Sequence, residues 1–219
     1  MKRGALLAIV LGLGLALSPM LHAGPIVFEL DFTYSGSNPA GPTPPPWLKA
    51  TFEQAGSNTV KLTMEATNLT GNEFAGDWYF NTIYTNPLSA GSFDYQANST
   101  APAAAVSVGT NAFKAGPAGD FDIKFDFPEA NNVDRFSASE KAIYYIYGQQ
   151  LTPEDFKALN QPDGLYYTAA HVQGISGNPD SGWIAATSGA QPVPEPATML
   201  LLGAGLIGLG FFGRKRSLK

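Results

Sequence analysis

Cysteine is absent from all 219 residues. That excludes disulfides and thiolate metal sites together. Histidine is nearly as scarce, with two residues in the chain. His22 falls in an N-terminal leader-like segment, so His171 alone remains in the body of the protein. One imidazole rules out the usual His-cluster zinc sites. Positive charge is also thin where it would matter for polyanions. Between residues 24 and 192 there are seven Lys and Arg against seventeen Asp and Glu, a net charge of −10, against −5 for the whole chain. An acidic surface of this kind repels nucleic acid and anionic lipid. No nucleic-acid partner is therefore expected, and no cofactor is implied by any motif.

The missing basic residues sit at the two ends. Lys2 and Arg3 precede an apolar run from Ala5 to Leu17, followed by Ser18-Pro19 and Leu21-His22-Ala23. Charge, a short apolar core and a small-residue end make residues 1–23 a secretory signal peptide, with cleavage expected after Ala23. At the other end, residues 193–219 read as a Pro-Glu-Pro turn, an uncharged apolar run and a basic cluster. The run 196–213, if helical, spans roughly 27 Å at 1.5 Å per residue, close to a bilayer's hydrocarbon core. Pro194 and Pro196 forbid helix before it. Arg214, Lys215 and Arg216 act as a positive-inside membrane stop. A single C-terminal transmembrane helix is expected there.

Pro194, Glu195 and Pro196, the apolar run and the basic end together resemble the PEP-CTERM sorting signal of Gram-negative bacteria. The resemblance covers about an eighth of the chain. It implies export across the inner membrane, transient membrane anchoring, processing near the Pro-Glu-Pro by an exosortase, and a final place at the cell surface or outside the cell. An exopolysaccharide or biofilm setting is part of the same implication. Segments 51–69, 77–81 and 169–184 are similar to parts of exosortase-dependent surface proteins, and no activity comes with that similarity.

What remains, residues 24–192, suits one domain, large enough to bury roughly 70% of its unfolded surface. Short stretches of period two are separated by Gly, Pro, Asn and Ser. Residues 26–34, 47–54, 59–67, 78–85, 121–127, 141–147 and 166–174 read as strands, the clearest being Phe121-Asp122-Ile123-Lys124-Phe125-Asp126-Phe127. Residues 39–46 are Pro-rich and predict a surface loop. Thr152-Pro153-Glu154-Asp155 offers an N-cap, a Pro at N1 and acid in the first turn, so one short helix to near Asn160 is expected, with Phe156 and Leu159 on one face. The fold class that follows is mainly β: an antiparallel β-sandwich with one short helix. A monomer is expected.

Chemistry is sparse. His171 lacks a recognised catalytic motif around it, since Gly174-Ile175-Ser176-Gly177-Asn178 misses the last glycine of a nucleophile elbow. It reads as a solvent-side or hydrogen-bonded structural residue. Asp120, Asp122 and Asp126 share a strand face with Lys124 and read as a solvated face. Asp-x-Asp-x-Lys is no calcium loop, and Asn178 to Gly182 reads as a plain turn. Trp183, Trp47 and Trp78 are the candidate glycan contacts, because aromatic faces match the apolar faces of sugar rings; in a sandwich most aromatics belong to the core. The leading expectation is a non-enzymatic exported protein. A carbohydrate-binding module and a secreted hydrolase stay open beside it.

Overall fold

The computed structural model describes residues 24–41, 45–130, 134–175 and 180–187. The expected signal peptide (1–23) and the expected transmembrane run (196–213) lie outside the described residues. Among the described residues no helix is long and apolar enough to cross a membrane.

Alternation dictates the first hairpin. Strands β3 (Leu48–Gly56) and β4 (Thr59–Ala66) pair antiparallel across a tight turn. Leu48, Ala50 and Phe52 point inward with Val60, Leu62, Met64 and Ala66, all buried. The outward positions oppose unlike charges. Lys49 lies opposite Glu65 and Lys61 opposite Glu53, each pair at 2.9 Å. Such half-exposed pairs contribute about 0–1 kcal/mol each, so the hairpin is held by its apolar face. β1 (Ile26–Leu30) adds to β3, and β10 (Lys141–Tyr147) adds to β4. β6 (Phe93–Tyr95) closes this five-stranded sheet beyond β10.

The second sheet runs β2 (Phe32–Gly36), β12 (Asp180–Ala186), β11 (Thr168–Ile175), β5 (Phe74–Phe80), β8 (Asp120–Asp126) and β7 (Ala105–Lys114), with β9 (Phe136–Ser137) also on β5. All named pairings are antiparallel. The predicted strand 26–34 is in fact two. The chain leaves one sheet at Leu30 and enters the other at Phe32, with Asp31 as the corner.

One aromatic core fills the space between the sheets. Phe52 from the first sheet meets Phe80 from the second edge-on, with ring centroids 5.4 Å apart, and stacks on Phe156 at 4.2 Å. Trp78 stacks on Phe80, and Phe80 meets Phe125 edge-on. Trp78 is wholly buried, and its indole N–H donates to Thr168 Oγ1 at 2.8 Å. The Thr168 hydroxyl in turn donates to the Tyr79 carbonyl at 2.6 Å. Trp47 is buried at the corner before β3, where its carbonyl accepts the backbone N–H groups of Thr67 and Asn68. The glycan contacts expected at Trp47 and Trp78 are thereby corrected. Trp78 shares the inner face of β5 with Phe80, two residues on, and Trp47, which precedes β3 and so is not bound by its alternation, joins the same buried cluster.

The Pro-rich connection forms no strand in its described part. It is tied down by a buried carboxylate. Glu73, 1% exposed, accepts the backbone N–H groups of Ala40 and Thr70. The predicted helix is reduced to a single 3₁₀ turn, Pro153–Phe156. Its N-terminal signals are as expected: Asp155 accepts from both the Thr152 amide and hydroxyl. The turn ends because Lys157 leaves helical dihedrals, at φ −83° and ψ 60°. Leu159 is consequently swung outward.

The central contact sets the expected mutational response. Phe52→Ala should cost about 3–5 kcal/mol, the range for truncating a buried aromatic. Phe32→Ala, at a position 45% exposed, should stay within about 0.5 kcal/mol. Urea unfolding followed by tryptophan fluorescence measures both.

Candidate functional site

The outer face of the second sheet carries the chemistry the sequence singled out. His171 on β11 lies directly opposite Trp183 on β12, and their rings stack at 4.5 Å with an 18° tilt. The neighbouring ring of Tyr34 comes from a bulge in β2, where Trp183 pairs with Ser35 and Ile184 with Thr33. Tyr79 and Tyr166 complete the cluster. The segment Gly116–Ala118 folds over it. A Cβ at Gly116 would strike the Trp183 indole, and its φ of +51° also favours glycine. Trp183 therefore points outward, as the alternation implies, but His171 and Gly116 pack against its ring. It is half-buried rather than a free platform for sugar stacking. The three tryptophans are not brought together: two are core, and one is a packed outer residue.

His171 is half-buried, and burial pushes its pKa below the ordinary histidine value; the Glu129 carboxylate opposes this. No hydroxyl or carboxylate hydrogen-bonds it among the described residues. The acidic strand face is internally satisfied. Lys124 bridges Asp77 at 3.1 Å and Asp126, and the Tyr79 hydroxyl donates to Asp77 at 3.1 Å. Burial, reinforced by Asp126, raises the Asp77 pKa. Burial works against the Lys124 ammonium, but Asp126 and Asp77 outweigh it and raise its pKa. Among the described residues no group of His, Asp and Glu is arranged to hold a metal ion. Asn178 and Pro179 lie outside the described residues.

Asp122 behaves differently from its strand neighbours. Its carboxylate accepts the Thr82 amide at 3.1 Å and the Asn111 amide at 2.7 Å. Its own N–H donates to Asn81 Oδ1 at 3.1 Å. Here β5 has ended, and a side-chain amide replaces the missing backbone partner. The strand switches faces at this point. Ile123 and Phe125 belong to the main core, whereas Phe121 joins the outer cluster around Tyr79 and Ala169.

Beside that switch lies a cleft of about 470 Å³, between segment 81–83, the β7 bulge at Thr110–Asn111 and residues 157–161. Ligand pockets commonly fall in the range of about 300–1,000 Å³. Ile83 and Leu159, 61% and 38% exposed, form apolar walls with Tyr167. Asn81 is 2% exposed, and its amide nitrogen has no hydrogen-bond partner among the described residues. An orphaned buried donor costs about 1–3 kcal/mol. Sequence reasoning missed this cleft. Ile83 sat in a predicted strand, and Leu159 was placed on the same face as Phe156 of a helix that stops early.

The described domain alone names no family, and the comparison that succeeds is with the tail. Residues 192–216 match the PEP-CTERM protein-sorting motif.

The PEP-CTERM match spans Pro194, Glu195 and Pro196 as well as Arg214, Lys215 and Arg216, the residues picked out for processing and membrane stop. It implies exosortase-dependent sorting, with a membrane-anchored signal leading to the surface. No curated protein and no solved structure matches the chain.

The stack at His171 generates a pH prediction. The folded pKa is depressed, so the unfolded chain takes up a proton first as pH falls below about 6.5. Stability is complete above that value and declines as pH drops toward the folded pKa. Thermal melts from pH 7.5 to 5.5 should show this decline, and His171→Ala should flatten it. At pH 7.5 the same substitution should cost about 1 kcal/mol through the lost ring stack.

Proposed function

We propose that this chain is an exported, exosortase-processed, non-enzymatic protein of the cell surface or extracellular matrix, associated with exopolysaccharide and monomeric once released. The observation that carries the reading is the PEP-CTERM match at residues 192–216. The domain's chemistry supports the non-enzymatic part. His171 is engaged in a ring stack, Asp77 and Asp126 share Lys124, and Asp122 is occupied by two backbone amides. Among the described residues no Ser or Thr hydroxyl hydrogen-bonds any of these groups, and the Tyr79 hydroxyl bound to Asp77 has a pKa raised by burial, which works against its acting as a nucleophile. The excess of acid over base in residues 24–192 supports a partner other than nucleic acid.

The test is intact-mass spectrometry of the protein made in a host that carries an exosortase. The mature species should lack residues 1–23 and should end near Pro194–Pro196. It should elute as a monomer on gel filtration. A released species that still holds Arg214, Lys215 and Arg216 overturns the sorting assignment. A broad esterase, protease and glycosidase screen addresses the non-enzymatic claim: turnover that disappears in His171→Ala overturns it.

A further inference from the structure

We infer that the cleft beside Asn81 is a binding site for a neutral sugar unit of a glycan. This deepens the exopolysaccharide part of the reading above and rests on it only for the setting. The cleft's chemistry is argued from its own residues.

Size comes first. About 470 Å³ accommodates one or two sugar rings. Charge comes next. The cleft is lined by one anion and one cation, and neither is free: both Asp122 oxygens accept backbone amides, and Lys157 pairs with Glu154 at 2.8 Å. Asp122 keeps its negative charge and the lining cation, Lys157, already pairs with Glu154, so an anionic ligand would find no uncompensated counter-charge. What the walls offer instead is amide and hydroxyl groups from Asn81, Thr110 and Gln161, beside the apolar side chains of Ile83 and Leu159. A hydroxyl-rich ring with an apolar face matches that division. Asn81 supplies the polar anchor. Its Oδ1 is fixed by the Asp122 N–H, which orients the amide and leaves Nδ2 unpartnered and at least nine-tenths buried. A sugar hydroxyl is an acceptor that such a donor lacks; because Nδ2 has under 1 Å² of accessible surface, the wall beside it must shift as the ring binds.

The site is also built from rigid parts. The Ile83 N–H donates to the Asp155 carbonyl at 2.7 Å, and the Thr82 hydroxyl to the same oxygen at 3.0 Å. Gln161 exchanges both backbone hydrogen bonds with Asp120, at 2.7 and 3.1 Å. These bonds hold the two walls to the sheet ends at fixed spacing.

The experiment uses the full chain in a detergent without a sugar headgroup, with side-chain amides labelled with ¹⁵N. Maltohexaose, cellohexaose and mannohexaose are the neutral probes, and hexagalacturonate is the anionic control. The expected result is that at least one neutral hexamer binds with Kd below about 10 mM. It should shift the Asn81 NH₂ cross-peaks, which are assigned by their loss in Asn81→Asp. Leu159→Arg and Thr110→Trp, both at exposed positions, should weaken that binding at least about ten-fold while leaving the melting curve in place. Three results overturn the inference: no binding by any neutral hexamer, binding that leaves the Asn81 peaks unmoved or survives both variants, or equal binding of hexagalacturonate. Failure here leaves the mass-spectrometric test of sorting intact, so the two readings fall separately.

Discussion

The ring contact between Phe52 and Phe80 joins the two sheets, and most of the domain is arranged around it. From Phe52 the packing passes to Phe28 and Phe156, and from Phe80 to Trp78 and Phe125. Without cysteine, nothing covalent fixes the spacing between the layers. Aromatic rings do so instead, because edge-on and offset pairs have preferred centroid distances and resist sliding. The Trp78 indole N–H at the centre of this layer is met by Thr168, and the Tyr144 hydroxyl accepts the Ala103 N–H, whereas the buried Trp47 indole N–H has no hydrogen-bond partner among the described residues.

Where one face of a strand is buried and the other solvated, the sequence was a good guide. The β3–β4 hairpin and the run Ile123 to Phe127 alternate strictly, and they lie where the alternation puts them. The signal fails where both faces are covered. β12, Asp-Ser-Gly-Trp-Ile-Ala-Ala, carries small residues because Ile184 faces the main core while Ala185 is covered on the outer side. β7 is interrupted by a bulge between Val108 and Phe113, and β6 is three residues long, so neither offers enough periods to read. The helix signals at Thr152 and Pro153 were sound for a start, but the expected end near Asn160 was too late, since the turn stops at Phe156.

The candidate site was still less legible. Its key residue, Asn81, matters because a strand ends beside it and Asp122 needs an acceptor. Ile83 and Leu159 matter because they are exposed rather than buried. Those are facts of chain path, which a local pattern does not encode. The outer face was half legible. His171 was turned outward by alternation, but Trp183 was read as lying beside a turn rather than in a strand, so the stack between them, which depends on pairing β11 with β12, and the cover over them, which depends on Gly116, were not legible. The PEP-CTERM tail is the opposite case, since its order of turn, apolar run and basic end is written wholly in the primary chain.

The position of β12 carries a mechanical consequence. The chain leaves the described domain just after this strand, at Thr187, and β12 is flanked by β2 on one side and β11 on the other. A pull transmitted through the C-terminal end, by flow against a tethered cell for instance, is not applied to an outer strand that can be peeled off bond by bond. It is shared at once by two ladders of backbone hydrogen bonds. Detaching β12 then means breaking bonds on both of its sides, where an outer strand would present bonds on one side alone.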